Sequence, residues 1–102
     1  MITRRDLIRL ANNDGMTLKK YEKITHKTGY QVATEGHVVR SAYRAEQVIK
    51  MYEGNCGVWK SEGKYYIDKS HRVSTKREAL EVGRAHEQIS VLKWSDMSLV
   101  YC

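Results

Sequence analysis

Apolar residues recur every three or four positions in two stretches of the chain, which is the spacing of an amphipathic helix. The first stretch is residues 41–55, whose apolar side consists of Ala45, Val48, Ile49 and Tyr52. The second is residues 74–88, whose apolar side consists of Ala79, Val82, Gly83 and His86. Thr75 and Glu78 stand three residues apart at the start of the second stretch, as in a capping box. Each stretch therefore predicts a helix that packs on one side.

Strand-favouring residues flank three turn-like stretches, THKTG, KSEG and WSDM, which lie about 34 residues apart. The predicted strand pairs are Leu18–Ile24 with Tyr30–Thr34, Gly57–Lys60 with Lys64–Asp68, and Ile89–Lys93 with Ser98–Tyr101. Gly63 suits the positive φ of a tight hairpin turn. The pattern predicts three hairpins, with the two helices between them.

A short helix is predicted at the start of the chain. Thr3 and Asp6 form a variant of the capping box. The apolar side of this helix consists of Leu7, Ile8 and Ala11. The sequence NNDG is expected to end it, with Gly15 suited to a left-handed C-cap. A helix this short needs to dock against other elements to persist.

Helices with one apolar side and strands with one apolar face must cover each other. The predicted fold class is α+β: a two-layer, mostly antiparallel sheet with helices on one face, built from a duplicated hairpin–helix unit preceded by a short N-terminal helix. Residues 1–102 are expected to form a single domain. Within it, residues 1–15 carry the N-terminal helix, and residues 16–60 and 61–102 are pseudo-repeats.

The composition is that of a globular protein, with 41% hydrophobic and 29% charged residues among 102. No apolar run approaches the roughly 18 residues that a membrane span needs, and the N-terminus lacks the apolar core of a signal peptide. We therefore expect a cytoplasmic protein with no membrane partner. Its two cysteines, Cys56 and Cys102, are expected to remain thiols.

The formal net charge is +6, and it is concentrated near the start of the chain. Residues 1–28 hold seven Lys and Arg against three Asp and Glu, whereas the remaining residues hold eleven against nine. A basic sector of this kind can bind polyanions such as nucleic acids. The alternative is a solvated surface that keeps the protein soluble.

The segment TLKKYEKIT, residues 17–25, carries the clearest nucleic-acid signal. As a strand it would place Lys19, Tyr21 and Lys23 on one face, where the lysines can hold phosphates and the tyrosine can stack on a base. The predicted nucleic-acid-binding residues are Arg4, Arg5, Lys19, Lys20, Tyr21, Lys23 and Lys27. The alternative is that the tyrosine packs on the sheet edge and the lysines protect that edge from pairing.

Cys56, His71 and Asp68 have the chemistry of a nucleophile, a base and an orienting group, but their positions do not favour catalysis. Cys56 follows the C-terminal end of a predicted helix, where the helix dipole raises the pKa of a thiol. It is better interpreted as a small buried hydrophobe. The sequence DKSHR, residues 68–72, is expected to cross from a strand to a helix, with Asp68 and Ser70 bonding local backbone.

No residue pattern indicates a metal or a cofactor. None of the four histidines and two cysteines has the spacing of metal ligands, and no glycine-rich phosphate-binding motif is present. His86 is expected to interact with the last carbonyls of its helix. We expect no catalytic residues, no metal site and no cofactor.

A family resemblance is carried by the segments TGYQVATEG (28–36), GNCGVW (54–59) and KYYIDKSHRVSTKREALEVGRAHEQISVLKW (64–94). The chain resembles a family of uncharacterised proteins of about this length from phages and integrative mobile elements of gut Firmicutes. The similarity covers Asp14 to Cys102. It implies a context rather than an activity or a set of catalytic residues. Small accessory proteins in that context bind DNA or block a host defence complex, as anti-CRISPR proteins do.

The expected function is that of a small non-catalytic binding module, an accessory protein that binds nucleic acid or a nucleic-acid-handling complex. One alternative is an inhibitor of a host defence system, whose partner would be a host protein, and another is a structural adaptor. The last strand, Ser98–Cys102, is short and uncharged. We therefore expect either a monomer or a homodimer that pairs at the sheet edge.

Overall fold

The computed structural model describes residues 2–9 and 15–102. The helices in these two ranges are α1 (Arg4–Ile8), α2 (Ala42–Met51) and α3 (Lys76–Ala85). None of them has the length or the apolar character that a membrane crossing requires. Residues 10–14, which include the predicted helix position Ala11, lie outside the described ranges.

Each helix begins directly after a hydroxyl side chain that accepts a hydrogen bond from the backbone N–H three residues further on. These N-caps are Thr3, Ser41 and Thr75, and each satisfies a donor that has no partner inside the helix. At Thr3 the backbone N–H also donates to the Asp6 carboxylate, at 2.8 Å. The N-caps predicted at Thr3 and Thr75 are therefore confirmed.

Seven strands make up the sheet in the described residues. They are β1 (Gly15–Lys19), β2 (Glu22–Ile24), β3 (Tyr30–Val39), β4 (Cys56–Ser61), β5 (Lys64–Val73), β6 (Ser90–Lys93) and β7 (Ser98–Tyr101). Their order across the sheet is β2-β1-β4-β5-β3-β6-β7. The β1–β2, β1–β4, β4–β5, β3–β6 and β6–β7 pairs are all antiparallel. The predicted α+β fold with a mostly antiparallel sheet is confirmed.

Two of the three predicted hairpins form as expected. Strands β4 and β5 pair around a two-residue turn in which Glu62 and Gly63 have φ values of 50° and 74°. Positive φ at both central residues is the mark of a type I′ turn, whose twist matches that of the flanking strands. Strands β6 and β7 pair around residues 94–97.

The first predicted hairpin, Leu18–Ile24 with Tyr30–Thr34, is wrong. Residues 15–24 instead fold back on themselves, because β1 pairs with β2 around a turn at Lys20 and Tyr21. These two residues have φ values of 51° and 70°, although neither is the glycine or asparagine that such a turn usually needs. Strand β3 lies between β5 and β6 instead of pairing with the preceding segment.

The turn at Lys20 and Tyr21 is held by backbone groups of two other segments. The Tyr21 N–H donates to the Gly54 carbonyl at 3.1 Å, and its carbonyl accepts from the Ile2 N–H at 2.8 Å. The Lys20 N–H donates to the Asn55 side chain at 3.2 Å. Gly54 has φ +72°, and a Cβ there would lie 2.4 Å from the Tyr21 nitrogen. Tertiary contacts thus impose a turn that the local residues do not favour.

Three finer expectations are also wrong. Gly15 begins strand β1 instead of capping α1, which ends at Ile8 with Arg9 as its C-cap. The DKSHR segment does not cross to a helix, because β5 continues as a strand to Val73. His86 is exposed at the C-cap of α3 instead of lying on its apolar side.

The chain divides into two compact units. Unit 1 contains Met1–Ile24 and Gly36–Lys69, and unit 2 contains Thr25–Glu35 and Ser70–Cys102. The expected single domain and its two pseudo-repeats, 16–60 and 61–102, remain predictions.

Unit 1 has a core in which α1 and α2 pack on one face of β1, β4 and β5. The buried residues of this core are Leu7, Leu18, Ala45, Ile49, Cys56, Val58, Tyr65 and Ile67. Unit 2 has a smaller core, in which α3 packs on β3 and β6. Its buried cluster consists of Val32, Ala79 and Val91. The apolar sides predicted for the two long helices therefore face these cores through Ala45 and Ile49, and through Ala79.

Replacing Gly54 with alanine should lower the free energy of unfolding by more than about 2 kcal/mol, because the new Cβ meets the Tyr21 backbone at a residue with positive φ. Chemical denaturation followed by circular dichroism measures this change. Gly63→Ala is the matched control, since Gly63 has φ +74° but open space around it. It should cost only about 1 kcal/mol. Equal losses in the two variants would contradict a specific role for the Tyr21 contact.

Candidate nucleic-acid interface

Two aromatic rings stack on the side of the unit 1 sheet that faces away from α1 and α2. Trp59 on β4 and Tyr66 on β5 are directly opposite each other in the strand register. Their ring centroids are 4.3 Å apart and their planes differ by 14°. Trp59 is 36% exposed, which is high for the largest apolar side chain. We call this pair the aromatic platform.

Strand alternation explains why these rings face outward. Successive side chains of a strand point to opposite faces, so the buried Val58 and Ile67 direct their neighbours Trp59 and Tyr66 away from the core. The cross-strand pair also stabilises the β4–β5 hairpin, as aromatic neighbours in antiparallel strands do. The same contact therefore holds the hairpin together and presents the rings to solvent.

The strand next to Trp59 leaves space beside the platform. Gly15 on β1 is the register partner of Trp59, and a Cβ on it would lie 3.2 Å from the Trp59 Cβ. Gly57, two residues before Trp59, is the register partner of Thr17 on one side and Asp68 on the other. Glycines at these positions leave the approach to the Trp59 ring open, because they carry no side chain to fill it.

Asp68 places a carboxylate beside the platform. It lies on the same face of β5 as Tyr66, two residues further along. Burial raises the pKa of Asp68 to about 6, and a hydrogen bond from the Trp59 side chain acts in the opposite direction. A Cβ on Gly36 would lie 2.5 Å from the Asp68 Oδ1, so the carboxylate occupies space that only a glycine leaves free. The carboxylate thus lies between Trp59 on β4 and Gly36 on β3.

Two lysines lie on the same face as the platform. Lys64 is on β5, two residues before Tyr66, and is the register partner of Ser61. Lys19 is the residue after the buried Leu18 and pairs with Glu22, so it also lies on the face away from the core. Lys60 lies on the opposite face, with its ammonium 5.3 Å from the centroid of the Tyr65 ring.

Unit 1 carries nearly all of the net charge of the chain. Its two segments contain twelve Lys and Arg against seven Asp and Glu, a balance of +5. Unit 2 contains six against five, a balance of +1. A positive potential around unit 1 favours the approach of a polyanion.

The predicted face shared by Lys19, Tyr21 and Lys23 is wrong. Lys23 is the register partner of Leu18 and therefore lies on the core side of the sheet, whereas Lys19 lies on the other side. Tyr21 sits in the turn between them and packs partly buried against the unit 1 core. A strand alternation cannot continue through a tight turn, so the three side chains separate.

The other predicted binding residues are spread over the molecule. Arg4 is paired with Glu46 and lies 5.2 Å from the centroid of the Tyr43 ring. Arg5 is exposed on α1, and Lys20 is exposed in the β1–β2 turn. Lys27 belongs to unit 2. Nucleic-acid binding by these residues remains a prediction, but the structure does not join them into one ribbon.

Sequence reasoning missed the platform because it placed the nucleic-acid signal in residues 17–25 and treated Gly57–Lys60 with Lys64–Asp68 only as a hairpin. A signal was available in the alternation itself: Cys56, Val58 and Lys60 fall on one face of the strand, and Gly57 and Trp59 fall on the other. A tryptophan in phase with glycines rather than with Val58 indicates an outward-facing ring.

Cys56 lies in the unit 1 core, as expected for a small hydrophobe. It is 1% exposed. Burial, together with the nearby Asp68 charge, raises the pKa of its thiol to about 12. A thiol in this environment is a poor nucleophile. In the described ranges, no three or more His, Cys, Asp or Glu side chains come close enough together to hold a metal ion.

Comparison of the chain with protein-family models, with curated proteins and with solved structures gives no match.

Asp68→Asn should remove a pH dependence of stability. The pKa of Asp68 in the folded protein is above its ordinary value of 3.8, so its contribution to stability is fully present below about pH 4 and is lost as the pH rises through about 6. Relative to that of the unmodified protein, the free energy of unfolding of the variant should rise by on the order of 1 kcal/mol between pH 4 and pH 7. The partial exposure of Asp68 keeps this change smaller than the full pKa shift would give. Urea denaturation at several pH values measures the difference, with the exposed Glu62→Gln as control. A difference independent of pH would exclude the raised pKa.

Cys56 should resist thiol reagents in the folded protein. In a Cys102→Ser variant at pH 8, reaction with a chromogenic disulfide should be at least about a hundredfold slower than with a free thiol, because little thiolate is present. Adding denaturant should restore the ordinary rate. Rapid labelling without denaturant would contradict the burial of this side chain.

Proposed function

We propose that the protein is a non-catalytic module that binds single-stranded nucleic acid on the aromatic platform of unit 1. The observation that carries this proposal is the Trp59–Tyr66 stack, with centroids 4.3 Å apart and Trp59 36% exposed, on the face of the unit 1 sheet away from α1 and α2. Aromatic side chains on an open sheet face give nucleobases a surface on which to stack. A base that stacks on Trp59 extends an existing stack by one ring.

The geometry favours single strands over duplexes. In a duplex the faces of the bases are covered by their neighbours, so a platform of this kind reaches them only after unstacking. A single strand exposes both the base faces and the flexible backbone. Stacking on an aromatic side chain contributes about 1–3 kcal/mol per base and tolerates any sequence.

Charge supports the same ligand. Lys19 and Lys64 lie on the platform face, where they can contact the phosphates on either side of a stacked base. The balance of +5 in unit 1 strengthens the attraction at low salt. The resemblance of the chain to small proteins of phages and mobile elements is the context in which we propose this role, as an accessory protein that handles nucleic acid.

Removing the exposed ring should weaken binding by about tenfold or more at 50 mM salt, which corresponds to the loss of one stacked base. The measurement is fluorescence anisotropy of a labelled thymidine decamer with the Trp59→Ala and Trp59→Leu variants. Tyr43→Ala is the matched control, because Tyr43 is a 53% exposed aromatic residue on α2. Circular dichroism reports whether each variant is folded.

Charge reversals separate the platform from the β1–β2 turn as the binding surface. Lys19→Glu and Lys64→Glu should each reduce the affinity severalfold and flatten its dependence on salt. Lys23→Glu, on the other face, should have a smaller effect. No binding of the unmodified protein to the decamer at 50 mM salt would reject the proposal and favour the alternative, a protein-binding inhibitor of a host defence system.

A further inference from the structure

We infer that the Asp68 carboxylate gives the aromatic platform a preference for guanine, by accepting two hydrogen bonds from the edge of a base stacked on Trp59. This inference rests on the proposed function, because it assumes that a base stacks on the platform. The proposed function does not specify which base the interface prefers, and this inference does.

The register brings the carboxylate to the edge of the stacking surface. Asp68 is opposite Gly57, which is two residues from Trp59 on the same face of β4. A base that lies flat on the Trp59 ring and extends along the strand direction approaches Gly57, which itself carries no side chain. One edge of such a base faces Asp68.

The carboxylate retains capacity for a ligand. The two carboxylate oxygens together offer about four lone-pair sites, and an interaction with the Trp59 side chain would use one of them. The strand register places Asp68 and Trp59 on the same face, each next to Gly57 or Tyr66, so that the carboxylate and the stacking ring are neighbours. The close approach of Oδ1 to Gly36 limits movement of the carboxylate in the other direction.

Guanine matches this acceptor better than the other bases do. Its Watson–Crick edge presents an N1–H and an N2 amino group side by side, and two parallel donors suit the two oxygens of a carboxylate, as in the arginine–carboxylate pair. Adenine and cytosine present one amino group beside a ring nitrogen that is an acceptor. Thymine and uracil present one N–H between two carbonyls, so these bases place an acceptor against the carboxylate.

Burial adds to the selectivity. Asp68 is partly buried, and a buried acceptor that faces another acceptor incurs a desolvation cost without gaining a hydrogen bond. A base that offers two donors avoids this cost. A well-formed pair of bonds to a base edge discriminates against the wrong base by about five- to 150-fold.

The test uses five labelled thymidine pentamers, titrated at pH 7.5 and 50 mM salt, whose central nucleotide is thymidine, adenosine, cytidine, guanosine or inosine. The unmodified protein should bind the guanosine pentamer about tenfold more tightly than the thymidine, adenosine and cytidine pentamers. Inosine lacks the N2 amino group, so its pentamer should fall between guanosine and the others.

Asp68→Asn is the diagnostic variant. It should bring the guanosine and thymidine pentamers within about twofold of each other while leaving thymidine binding equal or tighter, because a negative charge is removed. Glu62→Gln removes the same charge from the turn of the same hairpin and should preserve the guanosine preference. Thermal unfolding confirms that both variants are folded.

The outcomes distinguish this inference from the proposed function. Equal binding of all five pentamers would overturn the inference and leave the stacking function standing. A guanosine preference that survives in Asp68→Asn, or inosine binding equal to guanosine binding, would overturn the assignment to two bonds at Asp68. Failure of every pentamer to bind would overturn the proposed function, and the inference with it.

Discussion

The alternation of side chains along the β4–β5 hairpin is the constraint on which the rest of unit 1 depends. It sends Val58 and Ile67 into the core and directs Trp59 and Tyr66 to the opposite face. A shift of one residue in the register would turn the two rings toward the core and turn the core residues toward solvent. The type I′ turn between the strands sets this register, so the short turn determines both the packing of the core and the position of the candidate interface.

A second constraint is the close contact between Tyr21 and Gly54. It joins the β1–β2 turn to the segment that leads out of α2, through a hydrogen bond of 3.1 Å and a ring that packs over the glycine. Because the turn at Tyr21 ends strand β1, Lys19 and Lys23 are sent to opposite faces of the sheet. The basic segment therefore divides its lysines between two faces of the sheet instead of presenting them together, and the aromatic platform becomes the better candidate for contact with a base.

Asp68 lies on the outer face of unit 1 but also affects the pKa of a residue in its core. Its burial raises its own pKa to about 6, and its charge contributes to the raised pKa of Cys56. A partly buried carboxylate is costly to ionise, as its raised pKa reflects, and the missing side chain at Gly36 leaves it room. In our proposal that cost is offset in the complex, where the carboxylate meets two base donors.

The sequence by itself determined the elements with strong local signals. Apolar periodicity located α2 and α3, and the cap at Thr75 marked the start of α3. The turns at Gly63 and before Ser98 defined two hairpins, because these features depend on neighbours within a few positions. Only the tertiary structure decided the turn at Tyr21, where two residues with poor turn propensity take positive φ because Gly54 and Ile2 hold their backbone. The same holds for the continuation of β5 through residues 68–73, since polar residues remain in a strand when neighbouring strands satisfy their backbone groups. The candidate interface also depended on the tertiary structure. Alternation could have indicated an outward Trp59, but its stack with Tyr66 and its closeness to Asp68 depend on strand pairing, which no local pattern specifies.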